Sequence, residues 1–430
     1  MDNLKQMLAP QDRRGFFKAA GVGAAGVYLF GLAACKGPGG ADRVIKLGLV
    51  TPTTGPLAPF ASADDYVINQ LKPLLDKGIT LGGKTHAVQV VLRDSQSNPK
   101  RAAEVAQDLI DREKVDLLLA AGTADTTNPT ADQAESAGVP CITTDAPWEA
   151  FFFGRHGDPA KPFGWTYHFF WGLEQIASVY AGMWQGAATN KTIGALWSND
   201  PDGTAIRKGV TEKIARVGGF RLVDAGLFAP GSNDFSAQIS QFKAAGVEIV
   251  TGLFIPPDFA TFWTQCAQQG FHPKVVTVAK ALLFTQVVAG LGPRGHGLSS
   301  EVWWSASHPF KSSLSGVTAG QICADYVARS GQPWSPPLGF KHALFEVAVD
   351  VLRRTTALEP EAIRDAIKTT SLDTIAGHVD WARGPVANVS TTPLVGGQWL
   401  AGGRFGVEQK IVFDKDAPAI PVGANLALLS

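Results

Sequence analysis

Three short segments hold the residue types best suited to gripping a small polar molecule: Thr51-Pro-Thr-Thr-Gly-Pro56, Gly122-Thr-Ala-Asp-Thr-Thr127 and Thr144-Asp-Ala-Pro-Trp148. Each follows a β-rich run and leads towards a helical pattern. Hydroxyls, backbone N–H groups and a helix dipole then converge on one point, where an anion such as a carboxylate is stabilised. The same residue types also cap helices and make turns. The segments nominate Thr54, Thr123, Ala124, Asp125, Thr126, Asp145, Ala146, Pro147 and Trp148 as candidate ligand contacts. Catalytic patterns are absent: there is no H-E-x-x-H, no G-x-S-x-G, no phosphate-binding P-loop and no closely spaced cysteine pair. The eight histidines are scattered. The reading is a binding protein with no catalytic residues, no metal and no cofactor.

One further spacing asks for chemistry and does not receive it. Gly21, Gly23 and Gly26 spell the G-x-G-x-x-G of a dinucleotide-binding turn. That turn requires a buried strand before it and an acidic residue presented about 20 positions later. Here Arg13-Arg14-Gly15-Phe16-Phe17-Lys18 precedes it, and Asp42 follows the irregular Lys36-Gly-Pro-Gly-Gly. The same stretch reads coherently as an export signal, with basic Arg13, Arg14 and Lys18 ahead of an apolar run from Ala19 to Ala34 too short to span a bilayer. It resembles a twin-arginine signal, and Leu32-Ala33-Ala34-Cys35 resembles a bacterial lipobox. These resemblances imply a signal peptide over 1–35, lipid on Cys35, a tether over 36–43 and a periplasmic, lipid-anchored protein.

Lysine plus arginine and aspartate plus glutamate both number 38, so no global field recruits nucleic acid or a charged membrane surface. Cys141, Cys266 and Cys323 are far apart; they allow at most one disulfide and read as small buried hydrophobes. Beyond the tether, β-rich runs at Val44–Val50, Val88–Arg93, Val115–Ala121 and Val139–Thr143 alternate with helical spacing at 62–76, 99–113 and 128–137. A second series follows: strands at Thr192–Trp197, Arg221–Leu227, Ile249–Phe254 and Lys274–Val278, helices at 203–217, 233–245 and 257–269. Strict alternation predicts an α/β fold of two doubly wound parallel-sheet lobes. Helices at 340–354 and 359–368 and an irregular tail from 372 complete the chain.

In that order and spacing the chain resembles the periplasmic solute-binding proteins of ABC importers, in particular the branched-chain amino acid-binding type. The resemblance is carried by LGLVTPTTGPLAPF, VVLRDSQSNPKRAAEVAQDLI, AAGTADTTNPTADQAESAGVPCITTDA, IGALWSNDPDG and SNDFSAQISQFKAAGVEIVTGLFIPPDFATFWTQCAQQG, with Asp234-Phe235-Ser236 as its best single marker, and by TIAGHVDW near the end. It implies a type I periplasmic binding fold with a three-segment hinge near 165, 300 and 374. Lobe one is then 44–165 plus 300–373, and lobe two 166–299 plus 374–430. It also implies a monomer that closes on a small ligand and docks with permease and ATPase subunits.

By position, the resemblance gives Thr123-Ala124-Asp125-Thr126 the role of holding a ligand carboxylate. It places Pro147 where a threonine, and Lys280 where an acidic residue, would hold an α-ammonium. Asn199-Asp200-Pro201-Asp202-Gly203 lacks the family's aromatic residue. Pro201, Ile255 and Trp171 complete the implied site. A lysine repels an ammonium, so these departures point to a ligand with an anion and no amine, bonded by Lys280. Tryptophans near the cleft, Trp148, Trp171 and Trp303-Trp304, suit an apolar or aromatic carboxylate. The alternatives are a branched-chain or other amino acid, an amide, or a periplasmic sensor of the same fold.

Overall fold

The structure, a computed structural model, describes residues 43–429. The expected signal peptide, the lipid on Cys35 and nearly all of the tether lie outside the described residues.

The chain begins with β1 (Ile45–Thr51), α1 (Asp64–Lys77), the short hairpin β2 (Ile79–Leu81) and β3 (Lys84–His86), and β4 (Val88–Asp94). It continues through α2 (Pro99–Asp108), β5 (Leu117–Ala121), α3 (Ala124–Ala137), β6 (Cys141–Thr144), α4 (Trp148–Phe152) and β7 (Thr166–Phe169). The second series is α5 (Leu173–Gln185), β8 (Thr192–Ser198), α6 (Pro201–Val217), β9 (Arg221–Phe228), α7 (Ser236–Ala244), β10 (Ile249–Phe254), α8 (Pro256–Gln268), β11 (Val275–Lys280), α9 (Thr285–Gly290) and β12 (Ser299–Val302). Then follow α10 (Ala319–Ser330), α11 (Pro337–Arg354), α12 (Pro360–Lys368), the hairpin β13 (Ser371–Thr374) and β14 (Gly377–Asp380), β15 (Val389–Ser390), β16 (Val395–Ala401) and β17 (Val407–Phe413).

Among the described residues the strands form two main sheets. The first has the order β15-β7-β6-β5-β1-β4, and every pairing in it is parallel. The second has the order β17-β16-β12-β11-β10-β8-β9; it is parallel from β9 to β12 and antiparallel at the β12–β16–β17 edge. Central strands β5, β6, β8, β10 and β11 are buried at every residue, as helices on both faces require. Sheet membership moves the crossings from the expected 165, 300 and 374. β7 still belongs to the first sheet, β12 to the second, and β15 to the first again before β16 returns to the second. The chain therefore changes sheets after Phe169, after Val302 and between Ser390 and Val395.

Two other expectations change. The tail from 372 is not irregular: it supplies β13 to β17, and Gly402 and Gly403, with φ of 138° and 68°, turn the β16–β17 hairpin rather than marking loop. Helix α3 starts at Ala124, four residues before the expected 128, so Ala124 to Thr127 are a first turn and not a loop. The Thr127 hydroxyl donates to the Thr123 carbonyl (2.9 Å) and the Thr130 hydroxyl to that of Thr126 (2.8 Å), holding the turn together ahead of Pro129.

Local sequence explains the helix that matters most for the site. Asp200 caps α6, its side chain accepting from the Gly203 N–H (2.7 Å), and Pro201 occupies the first turn where its missing N–H is harmless. Gly203 is required because a Cβ there would collide with the Ser198 carbonyl at the end of β8. Gly203→Ala is expected to destabilise the protein by about 1–3 kcal/mol. It should also displace the α6 N-terminus, measured as a lower urea midpoint together with weaker ligand binding.

Candidate ligand-binding cleft

The carboxyl ends of both sheets face one another across a cleft floored by the crossings. Its deepest part is a cavity of about 20 Å³, walled by the rings of Phe60, Phe170, Trp171 and Trp303 and by Pro147, Ile206, Leu253, Ala279 and Leu283. Four ionisable side chains reach it: Asp145, Asp202, Lys280 and Glu301. The aromatic wall is continuous, with Phe170 edge-on to Trp303 (4.9 Å between centroids) and Phe340 edge-on to both. One water needs about 10–15 Å³ of such volume, so the cavity as it stands has room for little more than a water. A wider groove of about 570 Å³ runs along α6, lined by Phe153 on one side and by Lys208, Glu212 and Arg216 on the other.

Lys280 ends β11 and is 6% exposed. Its ammonium lies 2.8 Å from Asp202 and 3.4 Å from Asp200, both at the start of α6. Burial works against its charge, but Asp200, Asp202 and, from lobe one, Asp125 outweigh that and hold it protonated above its usual range. Lys280 is therefore not the free cation that the sequence suggested for a ligand's acid group; its charge is already matched. Burial pushes Asp202 up, against the Lys280 charge, the hydrogen bond from Lys280 and the backbone amide of Ala124 across the cleft.

Asp145 opens the loop after β6 and is also buried, with neither carboxyl oxygen hydrogen-bonded. Burial pushes it up to about 8, against the pull of Lys341. Beneath it, Lys341 of α11 is wholly buried, pairing with Asp64 of α1 (2.8 Å) and donating to Thr51 Oγ1 (2.6 Å). At neutral pH Asp145 is largely an uncharged acid and a hydrogen-bond donor. Glu301, raised by burial to about 7, accepts from the Tyr180 hydroxyl (2.6 Å). Asp125, raised by burial to about 6, faces Lys280. Largely uncharged at neutral pH, Asp145 repels an anion only weakly, and the Asp125 charge is offset by Lys280. Asp145 and Lys280 share one more feature: φ of 70° and 68°, a left-handed conformation costly for side-chain-bearing residues, on opposite walls of the same cavity.

The structure brings together Asp145, Pro147, Trp171 and Lys280 at the cavity, and sets Thr123, Ala124 and Asp125 beside α6. It separates the rest. Thr54 is exposed and donates to Asp94 (2.6 Å), while Phe60 from the same loop lines the cavity. Thr126 turns its hydroxyl back to the Thr123 carbonyl. Ala146 packs against Ala124 and Ala150 and accepts from His168. Trp148 lies tilted against Phe153 and packs on Gly172 at the first crossing. Pro201 faces the outer groove, leaving Asp202 at the cavity. Ile255 caps α8 and gives way to Leu253. Trp304 donates to the Ile375 carbonyl, away from the cleft. Sequence reasoning missed Phe60, Phe170, Asp202 and Glu301. Even Asp202, beside the Asp200 cap, carried no local signal of a buried site, since a second acid in a first turn is ordinarily a dipole-favoured surface residue.

Cys141, Cys266 and Cys323 are free and buried. Among the described residues no group of three His, Cys, Asp or Glu is placed to hold a metal, and no helix is long and apolar enough to cross a membrane. A Ser371–His378–Asp373 alignment occurs, but on three exposed side chains of the β13–β14 hairpin, outside the cavity.

Residues 44–403 match the periplasmic binding protein family, and the chain belongs to it. A leucine-, isoleucine-, valine-, threonine- and alanine-binding protein of Pseudomonas aeruginosa is 22% identical over 362 residues, covering 82% of this chain and 90% of its own. Among solved structures, a leucine-binding protein from Thermotoga maritima superposes with a TM-score of 0.70 at 19% identity, over 87% of this chain and 99% of its own. A solute-binding protein of an ABC transporter from Rhodopseudomonas palustris, in complex with 3,4-dihydroxybenzoic acid, superposes at 0.68 and 20% identity, over 85% and 95%. At these identities the structural likeness establishes the fold: an α/β type I periplasmic binding protein.

The ionisation pattern predicts a pH dependence. Asp145 and Glu301 titrate higher in the folded chain than unfolded, as does Glu346, which burial raises to about 7. The folded state therefore binds more protons, and stability falls as pH rises through their range. Buried His168, His308 and His342, lowered to about 3, 3 and 4, act oppositely, but only below about 6.5. Thermal unfolding without ligand should show a melting temperature that declines from pH 6.5 to 8. Asp145→Asn should flatten that decline.

Proposed function

We propose that this protein captures a small apolar or aromatic carboxylic acid in the deep cavity and presents it, enclosed, to an ABC importer, without chemical turnover. The observation that carries the reading is the pair of indoles. Trp171 and Trp303 both line the cavity, and the N–H of each is buried without a hydrogen-bond partner. An indole N–H only donates, so a ligand that completes this cavity must bring acceptors along with an apolar body. Largely neutral Asp145 adds a third donor at neutral pH. Solute-binding proteins of related fold in complex with 3,4-dihydroxybenzoic acid and 4-hydroxybenzoate are consistent with such a ligand. Closure then gives the permease a liganded shape to recognise. The reading includes export through the twin-arginine motif, lipid on Cys35 and a monomeric protein.

A second reading, an amino acid, is favoured by Asp145 itself, whose two unpartnered oxygens are suited to an ammonium once ionised. Matching of Lys280 by Asp200 and Asp202 also removes the repulsion that its position implied.

Thermal unfolding against 4-hydroxybenzoate, 3,4-dihydroxybenzoate, aliphatic carboxylates, amides, leucine and alanine separates the two. A ligand at 100 times its dissociation constant adds about 2.7 kcal/mol of stability. Stabilisation by acids lacking an amine supports the first reading, and their affinity should fall as pH rises past 8, when Asp145 stops donating. Stabilisation by leucine or alanine alone, with affinity rising over that range, overturns it. Trp303→Phe, which keeps the ring and removes the donor, should weaken an acid ligand by about 1.5–3 kcal/mol, measured by titration calorimetry.

A further inference from the structure

The first turn of α3 is the place on lobe one where the resemblance puts a ligand's carboxylate, and the structure puts a carboxylate close by. It is the chain's own. Asp202, from the first turn of α6 on lobe two, is 2% exposed and lines the cavity. Its Oδ2 lies 2.8 Å from the Lys280 ammonium. Its Oδ1 is buried without a completed hydrogen bond, while the amide of Ala124, the first residue of α3, acts on the carboxyl group. The hydroxyl of Thr123, at the cap of the 14-residue α3, is likewise buried and unpartnered. Small side chains allow the approach: Ala205 of α6 packs against Ala124, Ala146 and Ala150 of lobe one.

Asp200 does not share this position. One of its oxygens is committed to the Gly203 amide as the α6 cap, and the other stands 3.4 Å from Lys280. Removing Asp200 breaks a helix cap, whereas releasing Asp202 costs only its contacts to Lys280 and to lobe one.

We propose that Asp202 is an internal stand-in for the ligand's carboxylate: bridging Lys280 and the first turn of α3, it latches the lobes over a collapsed cavity, and the ligand's acid binds by taking its place. This inference rests on the acid reading above. The exchange conserves charge at the buried lysine, since one carboxylate replaces another, and the displaced Asp202 is ionised in water. It makes the site selective for anions, because a neutral or purely cationic ligand leaves Lys280 with less than its full complement once Asp202 moves. It also accounts for closure around a volume of about 20 Å³, since the inter-lobe contact comes from the protein.

The test uses Asp202→Asn and Asp202→Ser on the purified protein. Small-angle scattering without ligand should show a larger radius of gyration for both variants than for the parent. An unchanged radius overturns the latch. Calorimetric titration with 4-hydroxybenzoate should show binding at least tenfold tighter in both variants, and their lowered melting temperature should be restored by the acid. Equal or weaker binding in both overturns the exchange. If 4-hydroxybenzoate and the other acids bind neither parent nor variants, the acid reading fails, and the scattering still decides whether Asp202 holds the lobes.

Discussion

A lysine ammonium buried at the foot of a cleft has to be matched by carboxylates, because an unpaired charge there would lose several kcal/mol of hydration. Much of this protein's geometry answers that requirement for Lys280. Helix α6 begins where two aspartates reach the ammonium, Asp200 doubling as the helix cap and Asp202 pointing into the cavity. Gly203 lets that first turn press onto β8, and Ala205 lets it press onto lobe one. Asp125, from the other lobe, lies near enough to feel the same charge. One interaction thus ties the end of a strand, the start of a helix and the opposite wall of the cleft.

Lobe one repeats the arrangement with different parts. Lys341, early in the almost wholly buried α11, is matched by Asp64 and Thr51, and Asp145 is left as the carboxyl without an ion pair of its own. The two walls consequently differ in kind. The wall of lobe two is a closed ion pair, and the wall of lobe one is an uncharged acid poised to donate. Between them stand aromatic faces whose hydrogen-bonding edges are unspent. An enclosed, mainly apolar volume with a few convergent polar groups is the usual form of a small-molecule site, and its strained backbone at Asp145 and Lys280 falls where such strain tends to be found.

The lobes, the strand-helix alternation and most strand positions could be read from the residue pattern, because a parallel strand buried on both faces leaves a short run of Val, Ile and Leu that few other structures share. Misreadings arose where one residue type serves two purposes. Gly402 and Gly403 suggested irregularity and instead turn a hairpin. Thr126 and Thr127 suggested a hydroxyl-rich loop and instead close the first turn of a helix. Trp148 and Trp171 are alike in type and both near the first crossing, yet one braces it and the other lines the cavity.

What the sequence determined by itself was the class of fold and several of the residues that line the cavity, Asp145, Pro147, Trp171 and Lys280 among them. These follow from local periodicity and from the connection rules of α/β chains, which act over a few tens of residues. Only the tertiary structure decided which charges remain unmatched. Lys280 meets Asp202 across about 80 residues of chain, Lys341 meets Asp64 across nearly 280, and Asp145 is in an ion pair with neither lysine. Whether a buried charge is available to a ligand depends on distances of 3–4 Å between segments remote in sequence, since ion pairing and desolvation are settled at that range.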